Sequence, residues 1–240
     1  VTGLGVYYLY QTAKFNNNIA MSQTAPTAPV PARPNAPGRP KDLEKRAAIL
    51  DAAKALFPAR GYDGVSMDAI AQAAGVSKLT VYSHYQDKDT LFVGAVKAKC
   101  EDLLPSDLFV ARFEGPIRGQ LARIAHAFFR LITSDEAISV HRIMSRQLPE
   151  DSHLPKLFWE AGPKRTQEAL ASFLQAEDAA GELRVPDCAL AASQFFCLLK
   201  GEYHARLLCG CPERFSAADI DAHVDATVDL FLRAYGPGRR

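Results

Sequence analysis

Residues 66 to 88, SMDAIAQAAGVSKLTVYSHYQDK, constrain this chain more than any other stretch. Ser66, Ser77 and Asp87 each stand where a helix N-cap belongs, with a side-chain oxygen able to take a free backbone N–H, so three start signals fall within 22 residues. Gly75, between the first two, can hold the left-handed conformation that stops a helix. The spacing predicts a helix with Met67, Ile70, Ala71 and Ala74 on one face, a tight turn, a second short helix, and at once the start of a third. Two crossing helices with a glycine in the turn are the geometry of a DNA-reading helix-turn-helix, although a Ser-capped, Gly-linked helix pair of any purpose gives the same pattern.

The second helix separates its residues by face. At 100° per residue Val81 and Tyr85 share one side, the core side, while Leu79, Tyr82 and Ser83 fall on or near the other. Lys78 and Thr80 belong to the helix start, His84 lies at a flank, and Lys88 follows the next turn. Such a mixture suits a groove of duplex DNA: cations and hydroxyls bind phosphate, and apolar groups touch thymine methyls. The expected DNA contacts are therefore Ser66, Lys78, Leu79, Thr80, Tyr82, Ser83, His84 and Lys88.

Residues 38 to 92 resemble the DNA-binding domain of TetR/AcrR-type transcriptional regulators. The resemblance rests on Ile49-Leu50, Ala52-Ala53, Leu56-Phe57, Gly61-Tyr62, Ile70-Ala71, Ala74-Gly75-Val76-Ser77, Tyr82, His84, Lys88 and Leu91 at fixed spacing. LFWEAGPKRT at 157 to 166 and FFCLLKGEYHARLL at 195 to 208 are similar to the AefR-like subgroup. The chain departs from the family pattern at Leu79, where Gly is commoner, at Val81, where Leu is, and at Tyr85, where Phe is. Leu79 lies on the expected reading face, so no operator preference carries over. The resemblance implies an all-α homodimer, a DNA operator as partner, and a small apolar or amphipathic effector that changes the spacing of two reading heads. It also implies that His84 and Lys88 touch the DNA backbone and that Arg39 lies in the minor groove; a solvated tail arginine is the alternative.

The expected organisation is an N-terminal extension over 1–38, a helix-turn-helix domain over 39–86, and a helical effector-binding and dimerisation domain over 87–236. TAPTAPVPARPNAPGRP has almost no large apolar groups and is expected to stay extended. Ahead of it an apolar run of roughly ten residues is too short to span a bilayer. Met21 is the expected start, with residues 1–20 read as upstream translation. The net charge of +1 hides a distribution: residues 39 to 100 carry a net +3 and residues 101 to 240 a net −4. The positive end is the one expected to meet DNA, though chance unevenness gives a difference of this size.

Beyond residue 100 the hydrophobic period is helical throughout. Pro116 opens one helix, Ser134 caps the next, Gly162-Pro163 interrupts another, and Ser216 with Asp219 forms a capping box. Pro58, lacking an N–H, is expected to kink or stop the first helix near Phe57. Phe195, Phe196, Leu198, Leu199, Leu207 and Leu208 spread around much of the 188–209 helix. That helix and the last one, with Val224, Val228 and Phe231, are expected to supply core on one side and a dimer interface on the other; the interface is assigned to Phe195, Leu199, Val224, Val228 and Phe231. Phe128, Phe158, Trp159 and Phe173 are the candidates for an effector cavity, with plain core packing as the alternative.

Enzyme, metal and cofactor chemistry find little support. There is no Gly-rich phosphate loop, no His-Glu-x-x-His and no Ser nucleophile elbow, so no catalytic residue, cofactor or membrane partner is expected. Cys209-Gly-Cys211 with His204 nearby supplies too few ligands for a metal site by itself, and five scattered cysteines without a secretory signal fit a reduced, cytoplasmic protein. A redox- or metal-responsive regulator using Cys209 and Cys211, and a helical adaptor whose helix-turn-helix contacts protein, remain the competing readings.

Overall fold

The computed structural model describes residues 39–110, 115–145, 152–211 and 215–237. The expectations for the 1–38 extension lie outside these residues. Among the described residues every element is helical, and no helix is long and apolar enough to cross a membrane.

Helix α1 (Arg39–Arg60) packs over α2 (Met67–Ala73), α3 (Lys78–His84) and α4 (Lys88–Leu103). The three caps form as the sequence predicts. Ser66 accepts from the Ala69 N–H at 3.1 Å, Ser77 from Thr80 at 3.1 Å and Asp87 from Thr90 at 2.7 Å, each satisfying a donor that the helix start would leave orphaned. Gly75 takes φ +65°, which lets the Val76 N–H turn back to the Ala71 carbonyl and end α2. Ile49, Phe57, Ile70, Val81 and Leu91 are buried together as the first core. Phe92 and Ala95 also belong to it, so this core extends past residue 86 into the first turns of α4.

Pro58 does not stop α1 at Phe57. The helix runs on to Arg60, and the Gly61 N–H still reaches the Phe57 carbonyl at 3.0 Å. A proline in the last turn forfeits one backbone bond, and Ala53 and Phe57, both buried, hold the helix in place on the preceding turn.

The second core is built mainly by α5 (Ile117–Thr133), α8 (Pro163–Ala179), α9 (Cys188–Leu208) and α10 (Ala217–Tyr235), while α6 (Asp135–Met144) and α7 (Leu154–Ala161) turn Met144, Leu154 and Phe158 to the first core. Ser134 serves two helices: its hydroxyl donates to the Leu131 carbonyl at the end of α5 and accepts from the Ala137 N–H at the start of α6. Gly162, at φ −123° and ψ −79°, separates α7 from α8, which Pro163 opens; a Cβ at Gly162 would stand 3.1 Å from Val96 and 3.4 Å from the Cys100 sulfur. At its other end α7 is preceded by His153, whose Nε2 is 2.8 Å from Asp89 of α4. Helix α9 breaks at Gly201 (φ +44°, ψ −149°), a departure from the single helix that the sequence predicts. The His223 Nε2 of α10 lies 2.9 Å from the Leu199 carbonyl beside the break.

The assigned dimer interface is corrected by this packing. Phe195, Leu199, Val224 and Val228 are fully buried within one chain and Phe231 is 2% exposed, with the Phe195 and Phe231 rings meeting edge to face at 5.0 Å. Bulky aromatics and β-branched residues fill the interior of this helix pair. Its exposed side carries small and aliphatic groups (Leu190, Cys197, Leu198 and Ala205 on α9; Ala218, Ala222, Ala226, Leu230 and Ala234 on α10) among polar ones such as Gln194, Glu202, Asp221, Asp225 and Arg233.

Candidate functional site

Two features of the chain are arranged for binding. The first is the outer face of α3. Val81 and Tyr85 turn inward, 0% and 4% exposed, and anchor the helix by the side that the projection assigns to the core. Leu79 at 79% and Tyr82 at 42% stand out from the opposite side, beside exposed Ser83 and Lys78. Lys78 pairs with Asp68 of α2 at 2.8 Å, and this hydrogen bond raises its pKa and keeps the ammonium charged. Both side chains of the pair are more than half exposed, where a nucleic acid can compete for the lysine.

The remaining expected contacts are already engaged within the protein. Ser66 is occupied as the α2 cap. Thr80 meets Ser77 at 2.8 Å, and the Ser83 hydroxyl donates to the Thr80 carbonyl at 2.7 Å, leaving Ser83 only acceptor capacity. His84 is largely covered, its Nε2 3.2 Å from Asp42 of α1. The Lys88 ammonium donates to the Tyr62 carbonyl at 3.0 Å and lies 4.1 Å from the centre of the Tyr62 ring, while the Tyr62 hydroxyl donates to Asp89. Lys88 thus fastens the head of α4 to the end of α1. Arg39 is the first residue of α1, and its side chain lies outside the described part.

The second feature is an open cavity whose empty space, with the solvent at its mouth included, is about 920 Å³. Phe57 and Pro58 of α1 and Phe92, Val96 and Cys100 of α4 form one wall; Phe128, Val140, His141, Phe158, Phe196 and Lys200 come from α5, α6, α7 and α9. Of the four residues expected to line a pocket, Phe128 and Phe158 do so. Trp159 points away and is 47% exposed, because its neighbour Phe158 takes the inward side of α7. Phe173 is 1% exposed and lies in the second core. Burial pushes the Cys100 thiol up to about 11, so it lines the wall as a neutral group.

His141 and Lys200 were missed as cavity residues. The His141 and His204 rings sit edge to face at 5.1 Å, with His141 in the wall and His204 behind it. His141 holds the Ala137 carbonyl through Nδ1 at 2.9 Å, and burial keeps its pKa below the ordinary imidazole value. Burial pushes His204 down to about 4, and the Nε2 of its ring has no hydrogen-bond partner among the described residues. A lysine inside the apolar run FFCLLKGEYH is the signal that could have pointed here.

Cys209 closes α9, and Gly210 at φ +83° lets Cys211 bond back to the Arg206 carbonyl. The Cys-Gly-Cys spacing is therefore that of a helix C-terminus. Among the described residues no group of three or more His, Cys, Asp or Glu side chains is placed to hold a metal ion.

A capped, glycine-turned helix pair with an open outer face, continuous with a larger helical body, defines a helix-turn-helix transcriptional regulator. Residues 49–95 match the domain described as bacterial regulatory proteins, tetR family, and residues 119–237 match the C-terminal domain of AefR-like transcriptional repressors. A TetR-family regulator structure from Mesorhizobium loti is 30% identical, with a TM-score of 0.68, over 82% of this chain and 98% of its own. The flavonoid-responsive regulator FrrA is 32% identical, with a TM-score of 0.64, over 81% of this chain and 98% of its own. The transcriptional activator FasR of Mycolicibacterium smegmatis is 35% identical over 96 residues, 40% of this chain and 43% of FasR, so the match spans under half of that relative. The chain belongs to the TetR family of bacterial transcriptional regulators, proteins that bind DNA.

Proposed function

We propose that this protein is a homodimeric repressor that leaves its operator when a small apolar or amphipathic molecule enters the cavity. One observation carries the reading: the cavity wall contains Phe57 and Pro58 of α1, which packs on α3, and Phe92 and Val96 of α4, which follows α3 directly and shares its core. A ligand that fits one arrangement of these helices better than another has differential affinity for two placements of the reading head, which is what allosteric release requires. The similar FrrA, described as flavonoid-responsive, supports the same reading.

In this reading Lys78, Leu79, Tyr82 and Thr80 meet base edges and phosphates, while Ser66, Ser83, His84 and Lys88 keep the helix at its docking angle. The dimer forms through the small-residue outer face of α9 and α10, self-complementary about a two-fold axis, and spaces two α3 helices along the duplex. Its place of action is the cytoplasm, and its role is binding without catalysis.

The test begins with a duplex selected by the protein from a randomised library. A panel of hydrophobic compounds is then titrated against the protein–duplex complex by fluorescence anisotropy, with wild type and Val140→Trp, which fills the cavity from α6. Wild type should release DNA with at least one compound, and the variant should hold DNA without responding. Equal release from both proteins would place the effector site elsewhere.

A further inference from the structure

Four charged side chains stand in the cavity wall: Lys54, Lys99, Glu136 and Lys200. Three of them are neutralised by neighbours. Lys54 sits 2.9 Å from Asp51 and 2.7 Å from Asp102, and Lys99 sits 3.2 Å from Glu136. Lys200 has no ion-pair or hydrogen-bond partner among the described residues, although it is half-buried in a wall shared with Phe128 and Phe196.

The groups around Lys200 do not supply the missing anion. His141 and His204 are close enough for its charge to depress both, and burial keeps the two imidazoles neutral. Arg142, the other cation near this end of α6, is turned away onto the carbonyls of Leu207 and Leu208. A half-buried lysine in a wall of aromatic residues, with no bonded anion among the described residues, is left to water for its polar partners. An occupant without charge would strip the remaining water from Lys200, and a cationic occupant would add repulsion. One lysine left without an acidic partner among the described residues, with no arginine in the wall, matches a single negative charge better than a phosphate dianion.

We propose that the cavity takes an apolar molecule bearing one carboxylate, whose headgroup seats on the Lys200 ammonium while its body lies among Phe57, Phe92, Phe128, Phe158 and Phe196. The proposal rests on reading the cavity as the effector site and names the class of effector. Lys200 is the residue that selects it.

The experiment is calorimetric titration of the full chain with decanoate, 1-decanol and decyltrimethylammonium, which share one apolar body and differ in the head. Decanoate should bind at least about tenfold tighter than decanol, and the cation should not bind. Lys200→Met should bring decanoate to the affinity of decanol while leaving decanol within about twofold of its wild-type value, which reports an intact cavity; Lys200→Arg should keep the preference. Equal binding of decanoate and decanol by wild type, or a preference that survives Lys200→Met, overturns the proposal. Anisotropy of the protein–duplex complex separates the two readings. Lys200-dependent decanoate binding without DNA release would sink the effector role and leave the ligand class standing. DNA release by a neutral compound, blocked by Val140→Trp and indifferent to Lys200, would sink the ligand class and leave the effector role.

Discussion

His204 makes stability depend on pH in a direction that can be worked out from its surroundings. The side chain is 7% exposed, its Nε2 has no partner among the described residues, and its pKa falls to about 4 from an ordinary 6.5. Because the folded value is depressed, the unfolded chain takes up the proton first as pH falls. The stabilisation is present above 6.5, declines as pH drops toward 4, and has gone below it. One pKa unit corresponds to about 1.4 kcal/mol, so from pH 6.5 to 5 the full shift would cost about 2 kcal/mol; relaxation and water around the ring reduce this to roughly 1 to 2 kcal/mol. His141, also depressed by burial, acts in the same direction. The assay is urea unfolding followed by helical circular dichroism between pH 7.5 and 5, at one protein concentration, for wild type and His204→Phe. The wild type should lose stability toward acid more steeply than the variant, by roughly 1 to 2 kcal/mol over that window. Parallel curves, or a wild type that gains stability toward pH 5, would refute the account of a buried neutral imidazole.

On the reading helix, Lys78→Ala and Leu79→Ala should re-rank operator sequences by roughly 1 to 3 kcal/mol per lost base contact, whereas Lys88→Met should weaken all duplexes alike and lower the melting temperature. Titration of a randomised duplex library, beside thermal unfolding, distinguishes the two; re-ranking by Lys88→Met with an unchanged melting temperature would place that lysine on DNA bases. At the dimer face, Leu230→Glu, with or without Ala226→Glu, should give folded monomers by light scattering with native helical content. A native dimer in the double variant would move the interface off the outer face of α10.

What the chain discloses by itself is whatever depends on near neighbours. Ser66, Ser77 and Asp87 cap the residues three positions on, and Gly75 turns where only local backbone freedom matters; each was legible for that reason. The side of α3 that faces inward was legible too, because Val81 and Tyr85 are one turn apart. Contacts between distant segments were hidden. Lys88 turns to Tyr62, 26 residues earlier, and the break at Gly201 is met by His223, 24 residues after the Leu199 carbonyl it holds. The outer face of α9 and α10 was misread because hydrophobic size marks burial of any kind: Phe195 and Phe231 met each other inside one chain. The cavity draws its wall from helices spread between residues 53 and 200, and no spacing rule connects Phe57 with Lys200.

Helix α7 is held to α4 at both ends. His153 meets Asp89 near the start of α4, and Gly162 lies so near Val96 and Cys100 further along that a Cβ there would crowd them, with Phe158 between the two ends facing the cavity. In the proposed effector mechanism an occupant pressing on Phe158 would load both contacts, and the front one leads to Asp89, beside Lys88 and Tyr62. Cutting the front contact with His153→Ala, or loosening the rear one, would let α7 swing alone and absorb the occupant's bulk before it reached the joint between α1 and α4.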